Sequence, residues 1–433
     1  MPRAFRPSLR TLWIASIAVL AASAVACEPG DAHLTGPKGA SAFARFIVIG
    51  SDLSMGVESG GVVAATQGAS WPAIIAYDAG AAFRQPLFRA PGCSSPLVAP
   101  LLLGRWVSGA ATTARDSTCA GAAVTLTPPA DNLAIAGATA WAALNLSPKT
   151  IAAAPASYDI VDRERYPFVL ASTQSQVTAM LVQAPTFVGF ELGSAEVMTA
   201  ATTGLVTAAT SYTQTTPFTY VPAAVAAPVL AAIVDSVAKA SAKVVVLSIP
   251  RATKLPVFRR GSEVAGQRSA LAGYGVTVSA DCDGSANLLN LNAKITPLVQ
   301  KALTTGAAQA LSCADVPGTV DRVLTPGDAA ALDAAVDQMN TQLKQLAASH
   351  GWAYVDLAGT YDSMILPAGA YRASAHLSCA QPYGIYYSLD GLLPSPAGQH
   401  VVADAVAAAI NTTYGLGLPV RGVTLELQVN PCP

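Results

Sequence analysis

Short apolar runs rich in β-branched and aromatic residues recur along the chain, and each gives way to a glycine, a proline or small polar residues. The first is Phe46-Ile47-Val48-Ile49, which breaks at Gly50 and hands over to Ser51-Asp52-Leu53-Ser54. Such a run, bounded by turn residues, predicts a buried parallel strand ending in a tight turn. Asn132 to Thr139 predicts a second strand and then a turn at Gly137; Pro185 to Val197, Ala240 to Pro250 and Trp352 to Leu357 supply further strands. The stretches between them read as helices. Ala329–His350 carries Leu332, Val336, Met339, Leu343 and Leu346 on one face, and Gln399–Asn411 forms a closing helix. Ser70 is placed to cap a helix whose first turn holds Pro72. Alternating strands and helices predict an α/β fold with a parallel sheet, whose ligands gather at the carboxyl ends of the strands.

The ends of the chain depart from this pattern. Arg3, Arg6 and Arg10 precede an apolar stretch, Leu12 to Val25, that is shorter than a typical membrane span, so residues 1–26 read as a signal peptide. Ala24-Val25-Ala26-Cys27 resembles a bacterial lipobox, which would make Cys27 a lipidated first residue and residues 28–42 a Gly/Ala/Pro-rich tether. The same residues also satisfy the small-x-small rule of ordinary signal peptidase. The expected location is therefore exported: anchored at the outer membrane or periplasmic face, or secreted if Cys27 is not lipidated. Six further cysteines suit an oxidising compartment, and sequence neighbours suggest Cys93–Cys119, Cys282–Cys313 and Cys379–Cys432 among fifteen connectivities. No Cys-x-x-Cys occurs and the histidines lack zinc-ligand spacing, so neither a metal site nor a cofactor is predicted. With 25 basic and 26 acidic residues the net charge is −1, which argues against a nucleic-acid partner and for a small, weakly charged ligand.

Gly50-Ser51-Asp52-Leu53-Ser54 resembles block I of the SGNH, or GDSL, hydrolases, in which strand one delivers a nucleophilic serine into a turn. Asp52 stands at the serine position. Asn132–Thr139 resembles block II, whose glycine offers a backbone N–H to the oxyanion; Gly137 matches it, and a strand-end glycine with positive φ explains it equally. Phe190-Glu191-Leu192-Gly193-Ser194-Ala195-Glu196 has the shape of block III, with Ala195 where the family keeps the asparagine of the oxyanion hole. Asp390-Gly391-Leu392-Leu393-Pro394-Ser395-Pro396-Ala397-Gly398 resembles block V. Asp390, Pro394, Ser395 and Gly398 are in place, and Leu393 stands where the family has its histidine. The resemblance spans residues 43–415, with residues 257–325 read as an insertion near the site mouth and 416–433 as a tail stapled by Cys432. It implies a three-layer α/β/α sandwich with a parallel, flavodoxin-like sheet.

In the family's mechanism a serine attacks an ester carbonyl, a histidine takes its proton, and an aspartate orients the histidine. Here Leu393 cannot accept a proton and Ala195 cannot donate a hydrogen bond. Ser51 is a candidate displaced nucleophile, although a turn serine bonded to the backbone explains it too. Ser54 reads as a cap for the following helix. His400 lies seven residues beyond Leu393, about 10 Å along the helix, and His376 sits on a loop near Cys379 from which it would have to fold over the site. Asp52, Glu196 and Asp390 read as hydrogen-bonded carboxylates; converged, they would offer a cation site. Two functions follow: a non-catalytic binding or scaffold protein for an ester, acyl or glycan group, or an active serine esterase using a residue such as Ser51.

Overall fold

The computed structural model describes residues 40–112, 116–212, 219–364 and 371–422. The expected signal peptide, Cys27, the tether up to residue 39 and Cys432 lie outside these residues.

Four strands form one parallel sheet: β1 (Phe46–Gly50), β2 (Phe187–Glu191), β3 (Lys243–Leu247) and β4 (Ala353–Val355), in the order β1-β2-β3-β4. On the free edge of β1 runs the segment 131–135. It bridges Val48 to Asn132 in parallel and exchanges hydrogen bonds from Val48 N–H to Asp131 O, Leu133 N–H to Val48 O and Ile135 N–H to Gly50 O. Counting that segment in chain order, the sheet reads 2-1-3-4-5, the flavodoxin-like order, with its switch point beside β1.

Two sets of helices cover the sheet. On one side α2 (Trp71–Asp78) packs against α5 (Pro396–Tyr414), which also lies on β3 and β4. On the other, α3 (Ala223–Lys239) packs against α4 (Pro326–Ser349), α4 lies on β3 and β4, and helix Gln176–Val182 lies on β1. The result is an α/β protein of three layers, and β1 and β2 are buried along their whole length.

Local chemistry sets the element boundaries. The α4 helix begins at Pro326 rather than Ala329, because Thr325 and Asp328 form a capping box and proline suits the first turn. The Ser395 hydroxyl accepts from Gly398 N–H and starts α5 at Pro396, three residues before the predicted start. Ser70 does sit at the N-cap of α2, but its hydroxyl makes no capping hydrogen bond and donates to Gln67 O; the Trp71 N–H donates to Gln399 Oε1. Gly189, in the middle of β2, leaves room for an aromatic ring: a Cβ there would lie 2.7 Å from the Trp71 ring. Trp71 is fully buried against the sheet at this point.

Residues 258–324 were expected to fit no simple βα unit, but helix Leu291–Thr305 packs on two short parallel strands that flank it in the chain. The region builds a small antiparallel sheet from Phe258–Arg260, Leu288–Asn290 and Val323–Leu324, and that parallel pair from Val276–Val278 and Gln309–Leu311. Val257 N–H donates to Gly391 O and Asn292 Nδ2 to Leu389 O, which ties this region to the 388–393 turn. Cys282–Cys313 staples it and Cys93–Cys119 staples the excursion after α2, both as expected. Two such bonds belong to an oxidising, extracytoplasmic setting. The expected Cys379–Cys432 pair involves a residue outside the described range. Among the described residues no helix is long and apolar enough to cross a membrane.

Candidate functional site

The carboxyl end of β1 passes into a single helical turn, α1 (Asp52–Met55), and everything around it is arranged to hold that turn. Gly50 is needed at the junction: a Cβ there would fall 2.7 Å from Ser54 Oγ and 3.1 Å from Glu191 O. Five side chains, each from a different part of the fold, then pin the turn. Glu191, the last residue of β2, accepts from both Ser51 N–H and Ser54 N–H through Oε2, at 3.0 and 3.2 Å. Gln176 accepts from Gly50 N–H, Asn132 donates to Ser54 O, and Gln399 donates to Leu53 O. The Trp71 indole N–H donates to Ser54 Oγ at 3.1 Å, so Ser54 lies inside the turn as an acceptor and is not the cap of a later helix.

Glu191 pays for its position in acidity. It is buried, and burial together with the nearby Asp52 carboxylate pushes it up to about 7 despite the two N–H donors. The sequence displays Glu191 only as one polar residue in an apolar strand. Its lone charge in a buried run was the available signal, and the block III pattern drew attention past it to Ala195.

Asp52 projects from the turn between two cavities. Its Oδ2 accepts from Ser51 Oγ at 3.1 Å and from Gly137 N–H at 3.2 Å. Burial raises its pKa; these two donors and the charge of Arg165 act in the opposite sense. Gly137 has φ +74°, the left-handed conformation expected of a strand-end glycine. The positive φ foreseen for it is present, and the N–H expected to serve an oxyanion donates to the Asp52 carboxylate.

One cavity, of about 440 Å³, is polar: Asp52, Gly137, Asp116, Asp162, Arg165 and Trp106 are on its walls. Arg165 is held there by donating to Ala136 O and Cys93 O. The other, of about 190 Å³, is mostly apolar, walled by Leu53, Met198, Pro250, Leu392 and Leu393, with Asp52 and Glu191 also among its lining residues. The two cavities share Asp52, Val57 and Gly60.

The remaining predicted positions fall as follows. Leu393 and Asp390 line the apolar cavity with Asp52. Asp390 is committed to its own turn: Oδ1 accepts from Ser388 Oγ, Leu392 N–H and Leu393 N–H, and Oδ2 from Gly60 N–H. Ala195 opens the helix Ala195–Thr203, and it is Ser194 and Met198 beside it that face the apolar cavity. Ser51 is fully buried with its hydroxyl donated to Asp52. Glu196 points elsewhere: Oε1 accepts from Ala140 N–H at 2.6 Å and from the Tyr212 hydroxyl, so it holds the start of helix Ala140–Asn145. Among the described residues, Asp52, Glu196 and Asp390 therefore do not converge; the one group of three metal-type side chains is Asp281, Cys282 and Cys313, whose cysteines are bonded to each other. His376 is not on a loop. It lies in helix Ala373–Ser378, buried between Asn292 Oδ1 at 2.9 Å and the Tyr371 hydroxyl at 3.3 Å, and burial lowers its pKa to about 3. It lines none of the cavities described here.

No protein-family model and no curated protein matches the sequence. Among solved structures, a crystal structure of a putative GDSL-like lipase from Parabacteroides merdae aligns with 86% of this chain and 95% of its own at 10% identity, with a TM-score of 0.34, a likeness too slight to carry an argument.

Proposed function

We propose that this chain is an SGNH/GDSL-hydrolase-like protein, exported and lipid-anchored at Cys27, that binds an ester, acyl or glycan group at the Asp52 cavities without hydrolysing it. The observation that carries the proposal is the hydrogen bond from Gly137 N–H to Asp52 Oδ2. In a working serine hydrolase that kind of donor is kept for the oxyanion that forms during acyl transfer, and preorganised donors of this sort are among the largest contributions to rate. Here a side-chain carboxylate already takes it. A second negative charge developing beside Asp52 is opposed by the first.

The rest of the geometry supports the same reading. Leu393 offers no base, and Asp390 has four donors of its own in place of a histidine to orient. A serine esterase built on Ser51 would need that hydroxyl to reach a substrate, and it is fully buried. In a well-studied serine protease, losing the serine or the histidine alone costs about 10⁶ in turnover. Binding is a different matter. The polar cavity, with Trp106 and several carboxylates, suits a hydroxyl-bearing group, and the apolar cavity next to it suits a short acyl chain. The turn between them is pinned by Glu191, Gln176, Asn132, Gln399 and Trp71, which fixes Asp52 without a reorganisation cost on binding.

Hydrolysis of p-nitrophenyl acetate and butyrate by purified residues 28–433 tests this. The proposal predicts no turnover above that of a Ser51→Ala variant. Turnover that disappears with Ser51→Ala would establish the esterase.

A further inference from the structure

On the other side of the 58–60 turn lies a third cavity, of about 490 Å³, bounded by Glu58–Ser59, Pro96–Leu97 and parts of 380–397. It shares no lining residue with the two Asp52 cavities. Its volume falls in the range of small-molecule sites. Leu97, Ile385, Tyr387 and Leu389 give it apolar walls, and Glu58 is the one charged residue among its described lining residues. Ile385 is left 38% exposed, a large apolar side chain with unfilled space beside it.

Glu58 is poorly provided for. It is half-buried, and among the described residues its carboxylate has neither a hydrogen bond nor a cationic partner. Burial, and after it the negative charge of Asp390 beyond the cleft, push Glu58 up to about 7. Asp390 cannot relieve the situation by sharing a proton-bearing neighbour, because its oxygens are occupied by Gly60, Ser388, Leu392 and Leu393. A cation in the cleft would give the Glu58 carboxylate the partner it lacks, and the apolar walls would hold its body. An anion would meet the like charge of Glu58.

We propose that this cleft is a binding site for a small organic ammonium ion, its nitrogen donating to Glu58 and its apolar body lying against Leu97, Ile385 and Tyr387. The site is separate from the Asp52 cavities and does not depend on whether those bind or hydrolyse an ester.

Calorimetric titration of the purified protein at pH 8 with 2-phenylethylammonium, 2-phenylethanol and 3-phenylpropionate tests the proposal. The ammonium ion is expected to bind saturably and at least about tenfold tighter than the alcohol, the factor that one hydrogen bond to a charged group provides. The carboxylate is expected not to bind. Glu58→Gln is expected to bring the ammonium ion down to the alcohol's affinity, while Asp52→Asn leaves it unchanged. At pH 6, where Glu58 takes up its proton, binding of the ammonium ion weakens about tenfold. Should Glu58→Gln fail to fold, Ile385→Trp fills the cleft from its exposed edge and is expected to abolish binding. Equal affinity for ammonium ion and alcohol, no saturable ammonium binding, or undiminished binding by either cleft variant would overturn the proposal. Loss of binding with Asp52→Asn would also overturn it, since the ammonium ion would then sit in the polar cavity.

Discussion

The Oδ2 atom of Asp52 lies 3.2 Å from the backbone nitrogen of Gly137 and accepts its hydrogen bond. Two turns at the ends of neighbouring extended segments are thus joined by one residue's carboxylate, at the point where a parallel sheet of this order places its ligands. Removing that carboxylate frees the N–H and leaves the positive charge of Arg165 on the wall of the polar cavity. Asp52→Ala is therefore expected to bind butyrate at least about tenfold tighter than the unmodified protein, the equivalent of ~1.4 kcal/mol. Calorimetry on the two proteins checks it; equal or weaker binding by the variant would mean that Asp52 does not occupy an anion position.

Glu191 is expected to make stability depend on pH. Its folded pKa, about 7, lies above the ordinary value of 4.5, so the folded protein holds this proton more tightly than the unfolded chain does. Its contribution is present in full below pH 4.5 and is lost as pH rises through 7. Asp52, Asp390 and Glu196 are raised too and act in the same sense. Glu191→Gln keeps an acceptor for the Ser51 and Ser54 N–H groups and removes the ionisation. It is expected to flatten the fall in urea-unfolding free energy between pH 4.5 and 7 by about 1–3 kcal/mol. An unchanged slope would show that Glu191 is not ionising over this range.

The Trp71–Ser54 hydrogen bond closes the turn from the α2 side. Ser54→Ala leaves a buried indole N–H without its acceptor, which is expected to cost about 1–3 kcal/mol. Denaturant unfolding gives the number, and a loss below ~0.5 kcal/mol would mean that the indole finds another partner.

Gly189→Ala should be felt at the same tryptophan. The added Cβ would lie 2.7 Å from the Trp71 ring and 3.0 Å from a Val48 methyl, inside a fully buried layer. A destabilisation of about 1–3 kcal/mol is expected, with a changed tryptophan emission as the ring moves. A neutral substitution would place Trp71 away from β2.

These residues show how far the sequence could be read. The strands were legible because Phe46–Gly50 and Lys243–Leu247 are dense apolar runs, and a parallel sheet buried on both faces requires that pattern. The closing helix and its start region were legible for the same kind of reason, although the Ser395 cap moves its start to Pro396. The polar side chains that grip the turn were not. Gln176, Asn132, Glu191 and Gln399 are far apart in the chain, each serves a backbone group 78 to 346 residues away, and no local spacing marks them. The orientation of His376 was hidden likewise, because its partner Asn292 belongs to the irregular 258–324 region.

The central claim, that no nucleophilic serine operates beside Asp52, is tested most directly by covalent labelling. The purified protein and an Asp52→Ser/Ala195→Asn/Leu393→His variant would be incubated with a fluorophosphonate and weighed intact by mass spectrometry. The account predicts no adduct on the unmodified protein. A stoichiometric adduct on it, mapped to Ser51 and absent in Ser51→Ala, would contradict the account.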